Sequence, residues 1–326
     1  MRFQFYSETL DDVPKLSVDG TVPKSIHFSH WEGNTTPAEV KADTSTEIAL
    51  NLVASPNRAV LTQDIELVVN NHFDTDGVLS VWTVLNGERA LEFRDLLVSA
   101  AEAGDFSEHS SDDGVKVSLA IQGSNQAGSN NDDASPLASF VAGHQVDDDS
   151  QAYDLVLPEV ERLLANVNAY ESLWREGWSN VALALESFAR GDSRVVELQD
   201  SRISLITLAP DLLEPLMAIS KYARGEMFLI ATPQSGGWTY RLDYPYYSWA
   251  ETVVRPHITR RDLTNELAVL NDKEGHKAGG WKIDNREMTS AAKFFNADGT
   301  LGVSQLPPDE VLAVLSTKHK VQSTKS

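Results

Sequence analysis

The sequence predicts a two-domain α/β protein, and three observations carry that expectation. Its 326 residues suffice for two domains of about 100–200 residues each. The apolar run Ile65-Glu66-Leu67-Val68-Val69-Asn70 leads through a polar loop and Gly77 straight into the helical pattern of Val78–Leu85, which is the strand–loop–helix unit of α/β proteins. After Gly191 the pattern changes to short apolar runs mixed with helical stretches. The expected architecture is an N-terminal domain over 1–190 with a mainly parallel sheet, a smaller α+β domain over 191–311, and a basic, polar tail over 312–326.

Taken in order, residues 1–20 carry no clear period and read as an irregular lead-in. Ser25–Ser29 reads as a strand ending in the polar turn His30-Trp31-Glu32-Gly33-Asn34. Asp43 or Thr44 caps a helix that runs through Val53. The strand at 65–70 and the helix at 78–85 follow, then a helix from Leu91 to Glu102 that stops at Gly104-Asp105-Phe106. Residues 107–151 are rich in Ser, Asp, Asn and Gly and read as a polar insertion, mobile between Gly123 and Asp133, with one apolar stretch at Val115–Ile121. The run Asp147-Asp148-Asp149 reads as solvated charge. Apolar residues near i, i+3, i+4 predict helix over 158–190, closed by Gly191. Strands are expected at 195–198, 203–208, 227–231 and 238–242, with helices near 211–222 and 263–271. No period of 20–50 residues recurs, which excludes a repeat architecture.

Composition narrows the partners. A formal net charge of −21 repels long polyanions, because duplex binding depends on neutralising several phosphates with Lys and Arg. A duplex nucleic acid is therefore not expected, whereas a small phosphorylated molecule met by a local pair of arginines is. With no cysteine there are no disulfides, thiolate metal sites or cysteine nucleophiles, so any metal must sit on His, Asp and Glu. No run approaches the ~18 apolar residues of a membrane span, and the first residues lack the apolar core of a leader. A cytoplasmic protein is expected.

The most informative string is His72-x-Asp74-x-Asp76-Gly77. Alternate residues leaving a strand end point the same way, so an imidazole and two carboxylates can converge, and Gly77 permits the tight turn into the helix. Mixed nitrogen and oxygen donors suit Mn²⁺, Fe²⁺, Co²⁺ or Zn²⁺ better than Ca²⁺, with Mg²⁺ admissible where oxygen dominates. A loop that merely caps a helix accounts for one aspartate and poorly for the whole string.

The segment Leu67–Trp82 resembles the first motif of the DHH phosphoesterase superfamily, where a strand leads to His-x-Asp-x-Asp-Gly and a helix. The resemblance implies two divalent ions, manganese before the others, and hydrolysis of phosphodiesters, polyphosphates or small nucleotides. It implies an isolated aspartate, matched by Asp105 in Ala103-Gly104-Asp105-Phe106, and an Asp-His-His region followed by another Asp. The chain has no Asp-His-His tripeptide. Instead Phe28-Ser29-His30-Trp31-Glu32-Gly33-Asn34 is similar to that region, and Asp43-Thr44-Ser45-Thr46-Glu47 to the family's helix start. Both precede His72, so a circularly permuted arrangement is expected, with His30 and Asp43 completing the metal site. Ser29 and Trp31 stand where the family has its Asp and second His. Glu274-Gly275-His276-Lys277-Ala278-Gly279-Gly280 is similar to the glycine-and-histidine loop of the associated domain, which implies that His276, Gly279 and Gly280, with Arg255 and Arg260 upstream, grip substrate phosphate.

The function expected on these grounds is a metal-dependent phosphoesterase-like hydrolase acting on a small phosphorylated or nucleotide substrate at a two-domain cleft. His72, Asp74, Asp76, Asp105, Asp43 and His30 are the expected metal ligands, and Asp74, Asp76 and His30 the catalytic groups. Four carboxylates (Asp43, Asp74, Asp76, Asp105) balance two divalent ions, and a water activated between the ions would attack phosphorus. One alternative is a catalytically retired module that binds metal or nucleotide. Another follows from Phe73–Leu79, which resembles the haloacid-dehalogenase signature with Asp74 as nucleophile and Asp76 as general acid/base; there an apolar strand runs up to the first Asp, whereas Asn70-Asn71-His72 intervenes here. The aromatic string Trp238, Tyr240, Tyr244, Tyr246, Tyr247 and Trp249 is expected to edge a half-buried sheet.

Overall fold

The computed structural model describes residues 1–123, 148–210, 212–213, 215–275, 279–284 and 287–317. The core of the polar insertion, Asp147, His276 and the last residues of the tail lie outside the described residues. The chain divides into one unit of Met1–Ala182 with Trp249–His257 and another of Leu183–Ser248 with Ile258–Ser326. The segment Trp249–His257 thus belongs to the first unit although the chain on either side belongs to the second, an interleaving that a contiguous division at 190 does not contain.

The first unit is built on a four-stranded sheet of β1 (Arg2–Phe3), β2 (Lys15–Val18), β3 (Ile26–Phe28) and β4 (Leu67–Val69). The strands run in the order β1-β4-β2-β3, and every pairing is parallel. Val18 lies opposite Phe28 and Ser17 opposite Val69, so β2, β3 and β4 end together and deliver Asp19, Ser29 and Asn70 to one edge. The lead-in reading of residues 1–20 is corrected here, since it contains two of the four strands. Strand β2 escapes pattern recognition because Lys15 and Ser17 are as buried as Leu16 and Val18. Lys15 is tolerated because its ammonium donates to the carbonyls of Leu10 (2.9 Å), Asp11 (3.0 Å), Lys24 (3.2 Å) and Val13 (3.4 Å), which replaces the water it loses on burial.

Helices Ser45–Ala54 and Thr75–Asn86 follow β3 and β4, capped by the side chains of Thr44 and Asp74 on the amides of Glu47 and Gly77. The next helix, Arg94–Phe106, does not stop at Gly104. That glycine serves close packing, since a Cβ there would meet the Thr75 side chain at 2.6 Å. The helix Asp112–Gln122 buries Val115, Val117, Leu119 and Ile121, which removes residues 107–123 from the polar insertion. Asp148 caps the helix Asp149–Val156, so it is engaged rather than merely solvated, and Asp149 accepts the Phe73 amide at 3.1 Å. Further helices include Val160–Ala165 and the long Glu171–Arg190.

The second unit holds a six-stranded sheet of β5 (Arg194–Leu198), β6 (Ile203–Thr207), β7 (Met227–Gln234), β8 (Gly237–Asp243), β9 (Gly279–Ile283) and β10 (Ser290–Asn296), in the order β5-β6-β7-β8-β10-β9. Only β6 and β7 run parallel, linked by the helix Leu216–Tyr222. Apolar residues pack on both faces: Leu229, Tyr240, Leu242, Trp281 and Phe294 in one cluster, Phe188, Ile206, Ile219, Phe228 and Ile230 in the other. Leu312 and Leu315 are buried in the helix Pro308–Leu315, so the tail does not begin at 312. Gly279 and Gly280 lie in β9 rather than in a loop. A Cβ on Gly279 would meet the Phe295 carbonyl at 2.6 Å, so close strand pairing accounts for that glycine.

Because the Lys15 ammonium satisfies four carbonyls at once, Lys15→Met is expected to cost about 3 kcal/mol. Urea denaturation of the two proteins measures the difference, and equal midpoints would refute the account.

Candidate metal centre

Asp19 leaves β2 in the left-handed region, with φ +47, a conformation that Asp tolerates better than most residues. Its wholly buried carboxylate is 3.1 Å from His72 Nε2 and 3.4 Å from His30 Nε2. Ser45 Oγ (2.9 Å) and Trp31 Nε1 (3.3 Å) donate to its Oδ1.

His30 follows β3. Its Nδ1 lies 2.7 Å from the Asp43 backbone oxygen; a carbonyl can only accept, so Nδ1 carries a proton. Nε2 faces Asp105 at 3.1 Å, Asp19 at 3.4 Å and Asp76 at 3.8 Å, yet it makes no aligned hydrogen bond among the described residues. A backbone carbonyl on one ring nitrogen with carboxylates around the other is the arrangement that orients a metal-ligating histidine.

Asp76 sits in the first turn of Thr75–Asn86 and accepts the amides of Thr46 (2.6 Å) and Ser45 (2.7 Å). These are orphan donors at the start of the helix Ser45–Ala54, where the helix dipole favours negative charge. Asp105 reaches in from the last turn of Arg94–Phe106. After β4, Asn70 Oδ1 accepts the His72 amide at 2.9 Å. His72 Nε2 then stands 3.1 Å from both Asp19 and Asp74.

The ligand atoms of Asp19, His30, Asp76 and Asp105 lie within 4.8 Å of one another, as do those of Asp19, His72 and Asp74. Asp19 belongs to both groups. The two differ in access: the side chains of His30, Asp19 and Asp76 are fully buried and Asp105 is 5% exposed, whereas His72 and Asp74 are 28% and 25% exposed. Such donors fit hard or borderline divalent cations.

So much charge in so little volume displaces its titrations. Burial, then the charge of Asp19, raises Asp74 and lifts Asp76 to about 7. Burial and the charges of Asp74, Asp76 and Asp19 push Asp105 well above the carboxylate range. Asp19 moves the other way: burial opposes its charge, but the adjacent His30 and His72 imidazoles hold its pKa low. Burial disfavours both imidazolium ions, yet Asp105 and Asp19 raise His30 well above free imidazole, while Asp74 and Asp19 lift His72 to about 12.

Of the residues singled out in the sequence, His72, Asp74, Asp76, Asp105 and His30 come together. The Asp43 side chain does not. Its carboxylate accepts the amides of Val253, Val254 and Arg255 and the Arg255 guanidinium, and only its backbone carbonyl serves the centre, through His30. Asp19 contributes the carboxylate expected of Asp43. The signal for it was Leu16-Ser17-Val18-Asp19-Gly20, an apolar alternation ending in acid and glycine, obscured by the buried Lys15. Both oxygens of Asp74 are engaged, with the Gly77 amide and with His72, which favours a ligand over a nucleophile.

Of the residues expected to grip substrate, Arg255 belongs to the first unit and Arg260, Gly279 and Gly280 to the second. Arg255 pairs with Asp43 (2.8 Å), Glu102 (2.6 Å) and Glu108 (2.5 Å). Arg260, in the second unit, reaches the Ser290 carbonyl at 3.4 Å and lies over the Tyr244 ring. Gly279 and Gly280 are in β9, and His276 lies outside the described residues. From the aromatic string, Trp238 and Tyr240 are on β8, but Trp249 packs edge-on against His30, 5.0 Å between ring centres, and against Trp31 at 5.1 Å. Trp31 in turn meets His72 at 5.3 Å.

The chain matches the family of unknown function DUF6687 over residues 1–318 and belongs to that family. No curated protein matches it. Among solved structures it is similar to PggH, a pGpG-specific phosphodiesterase from Vibrio cholerae, at 12% identity over 93% of this chain and 97% of that one, with a TM-score of 0.33. Among the described residues no helix is long and apolar enough to cross a membrane.

Asp76, raised from 3.8 to about 7, holds a proton in the folded state that the unfolded chain releases. Its contribution to stability is full below the unfolded pKa and is lost as pH rises through about 7. His72, raised from 6.5 to about 12, acts in the same direction at higher pH. In chelator, the Tm is expected to fall as pH goes from about 5 to about 8, and Mn²⁺ to abolish the fall, because the ion replaces the protons. Calorimetry across that range checks it; a Tm that climbs in chelator contradicts it.

Proposed function

We propose that the chain is a metal-dependent phosphoesterase-like hydrolase of the DHH type, permuted in the order of its ligand segments, cytoplasmic, and acting on a small phosphorylated or nucleotide substrate. The observation that supports it most is the place of Asp19, one buried carboxylate common to a closed group of four ligands and an accessible group of three. A structural metal is closed by its protein ligands, whereas a catalytic one keeps a position open, and this centre offers one group of each kind.

Bound divalent ions, manganese first, would supply Lewis acidity to phosphoryl oxygens and draw the pKa of a water towards neutrality. The chain's own groups do the rest. Asp19 joins the two halves, and His30, Asp76 and Asp105 hold the inner one. His72 and Asp74 present the outer one to substrate. The carboxylates of Asp19, Asp74, Asp76 and Asp105 match the charge of two divalent ions, so a phosphate is not repelled by the acidic chain at close range. Trp249 packs on the wholly buried His30 ring, away from water, which strengthens electrostatic interactions there.

One observation favours a second reading, a binding module without turnover. Arg255, the cation expected to face substrate phosphate, is committed to three carboxylates. Turnover separates the two readings. The Mn²⁺-loaded protein is expected to hydrolyse bis(nitrophenyl) phosphate, short oligonucleotides or cyclic dinucleotides, and Asp19→Asn to lower kcat/KM by more than about 100-fold. Stoichiometric Mn²⁺ uptake with no hydrolysis of any of these would establish the module and exclude the hydrolase.

A further inference from the structure

Two buried donors beside the accessible ligand group have no partner among the described residues: Asn70 Nδ2 and Tyr153 Oη. Both side chains are fully buried. The orientation of the Asn70 amide is fixed, because its oxygen accepts the His72 amide, so its NH₂ must point the other way. Tyr153, on the helix Asp149–Val156, has its ring boxed by Phe3 (4.6 Å), Phe73 (5.5 Å) and Phe5 (6.0 Å). In that apolar box phenylalanine would pack as well, and the hydroxyl brings only an uncompensated desolvation cost.

The two donors meet at Gly77. The point where a Cβ on Gly77 would stand is 2.6 Å from Asn70 Nδ2, 2.7 Å from Tyr153 Oη and 3.0 Å from Asp74 Oδ1. With no side chain at Gly77, both donors and Asp74 Oδ1 lie within 3.0 Å of one point, while Asp74 Oδ2 faces His72. Buried unsatisfied groups are rare in native proteins and each calls for a cause. Two of them converging beside one carboxylate that caps a helix and faces the His72 imidazole point to a single cause.

We propose that Tyr153 and Asn70 are positioning residues for the accessible half of the centre, donating to the Asp74 carboxylate, directly or through one buried water, when a divalent cation draws it forward. The inference rests on the metal-centre reading above. Donors behind a ligating carboxylate fix its orientation and tune its hold on the ion, and their loss weakens metal affinity by about 10–100-fold.

The test compares the wild-type chain with Tyr153→Phe, which keeps the ring and its packing. Mn²⁺ is titrated calorimetrically into each, and the metal-free Tm is recorded. Two phases are expected for the wild type. In Tyr153→Phe the weaker phase should lose affinity by about 10–100-fold and the tighter one should not move, while the metal-free Tm stays level or rises because an unsatisfied hydroxyl has gone. Equal affinities in both phases overturn the inference and leave the centre standing. A lowered metal-free Tm with both phases weakened together also overturns it, since the hydroxyl would then be structural. No uptake by the wild type overturns the centre and the inference with it.

Discussion

Four carboxylates and two imidazoles crowd together at the end of three parallel strands, and the mutual repulsion of those carboxylates is the constraint on which the first unit depends. Most of its polar architecture can be understood as an answer to that repulsion. The helix Ser45–Ala54 turns its amino end to Asp76, Ser45 and Trp31 donate to Asp19, and the Asp43 carbonyl pins His30. Each supplies a dipole or a donor where water is excluded, and none supplies a full positive charge. The full charges come from protons on the histidines and carboxylates, or from cations that replace them.

How much of this was legible in the sequence depended on whether burial followed hydropathy. Strand β4 and the helix after it could be read because Leu67-Val68-Val69 and the run from Val78 are apolar throughout, and the ligands His72, Asp74 and Asp76 stand between them. His30 and Asp105 were reached through family resemblance rather than through period. Asp19 was not, because β2 is a central strand with a lysine and a serine in its core, and no window of hydropathy registers a lysine that donates to four carbonyls. Strand β9 was missed for a related reason: Gly279 and Gly280 look like a loop, yet the first leaves room for the Phe295 carbonyl and the second for the Asn271 side chain.

Asp43 shows where spacing misleads. It precedes the capping Thr44 and has the composition of a ligand, but the partner that claims its side chain lies more than two hundred residues on, at Val253–Arg255. Nothing local announces a bond of that length. The same distance hides the role of Arg255, which reads as a grip for substrate phosphate until Glu102, Glu108 and Asp43 are seen around it. Long-range ion pairs of this kind decide which charged residues are available for chemistry, and one sequence viewed alone does not reveal them.

The return of Trp249–His257 to the first unit bears on how the polypeptide matures. Because chains emerge from the ribosome amino end first, the residues from Met1 to Ala182 are synthesised well before the indole that will lie on His30 and the guanidinium that will neutralise Asp43. Until that late stretch has been made, His30 lacks its aromatic cover and the Asp43 carboxylate its counter-ion. Completion of the earlier-made unit therefore waits on synthesis of the later one, and the two halves of the polypeptide are coupled in biogenesis by the path of the backbone itself.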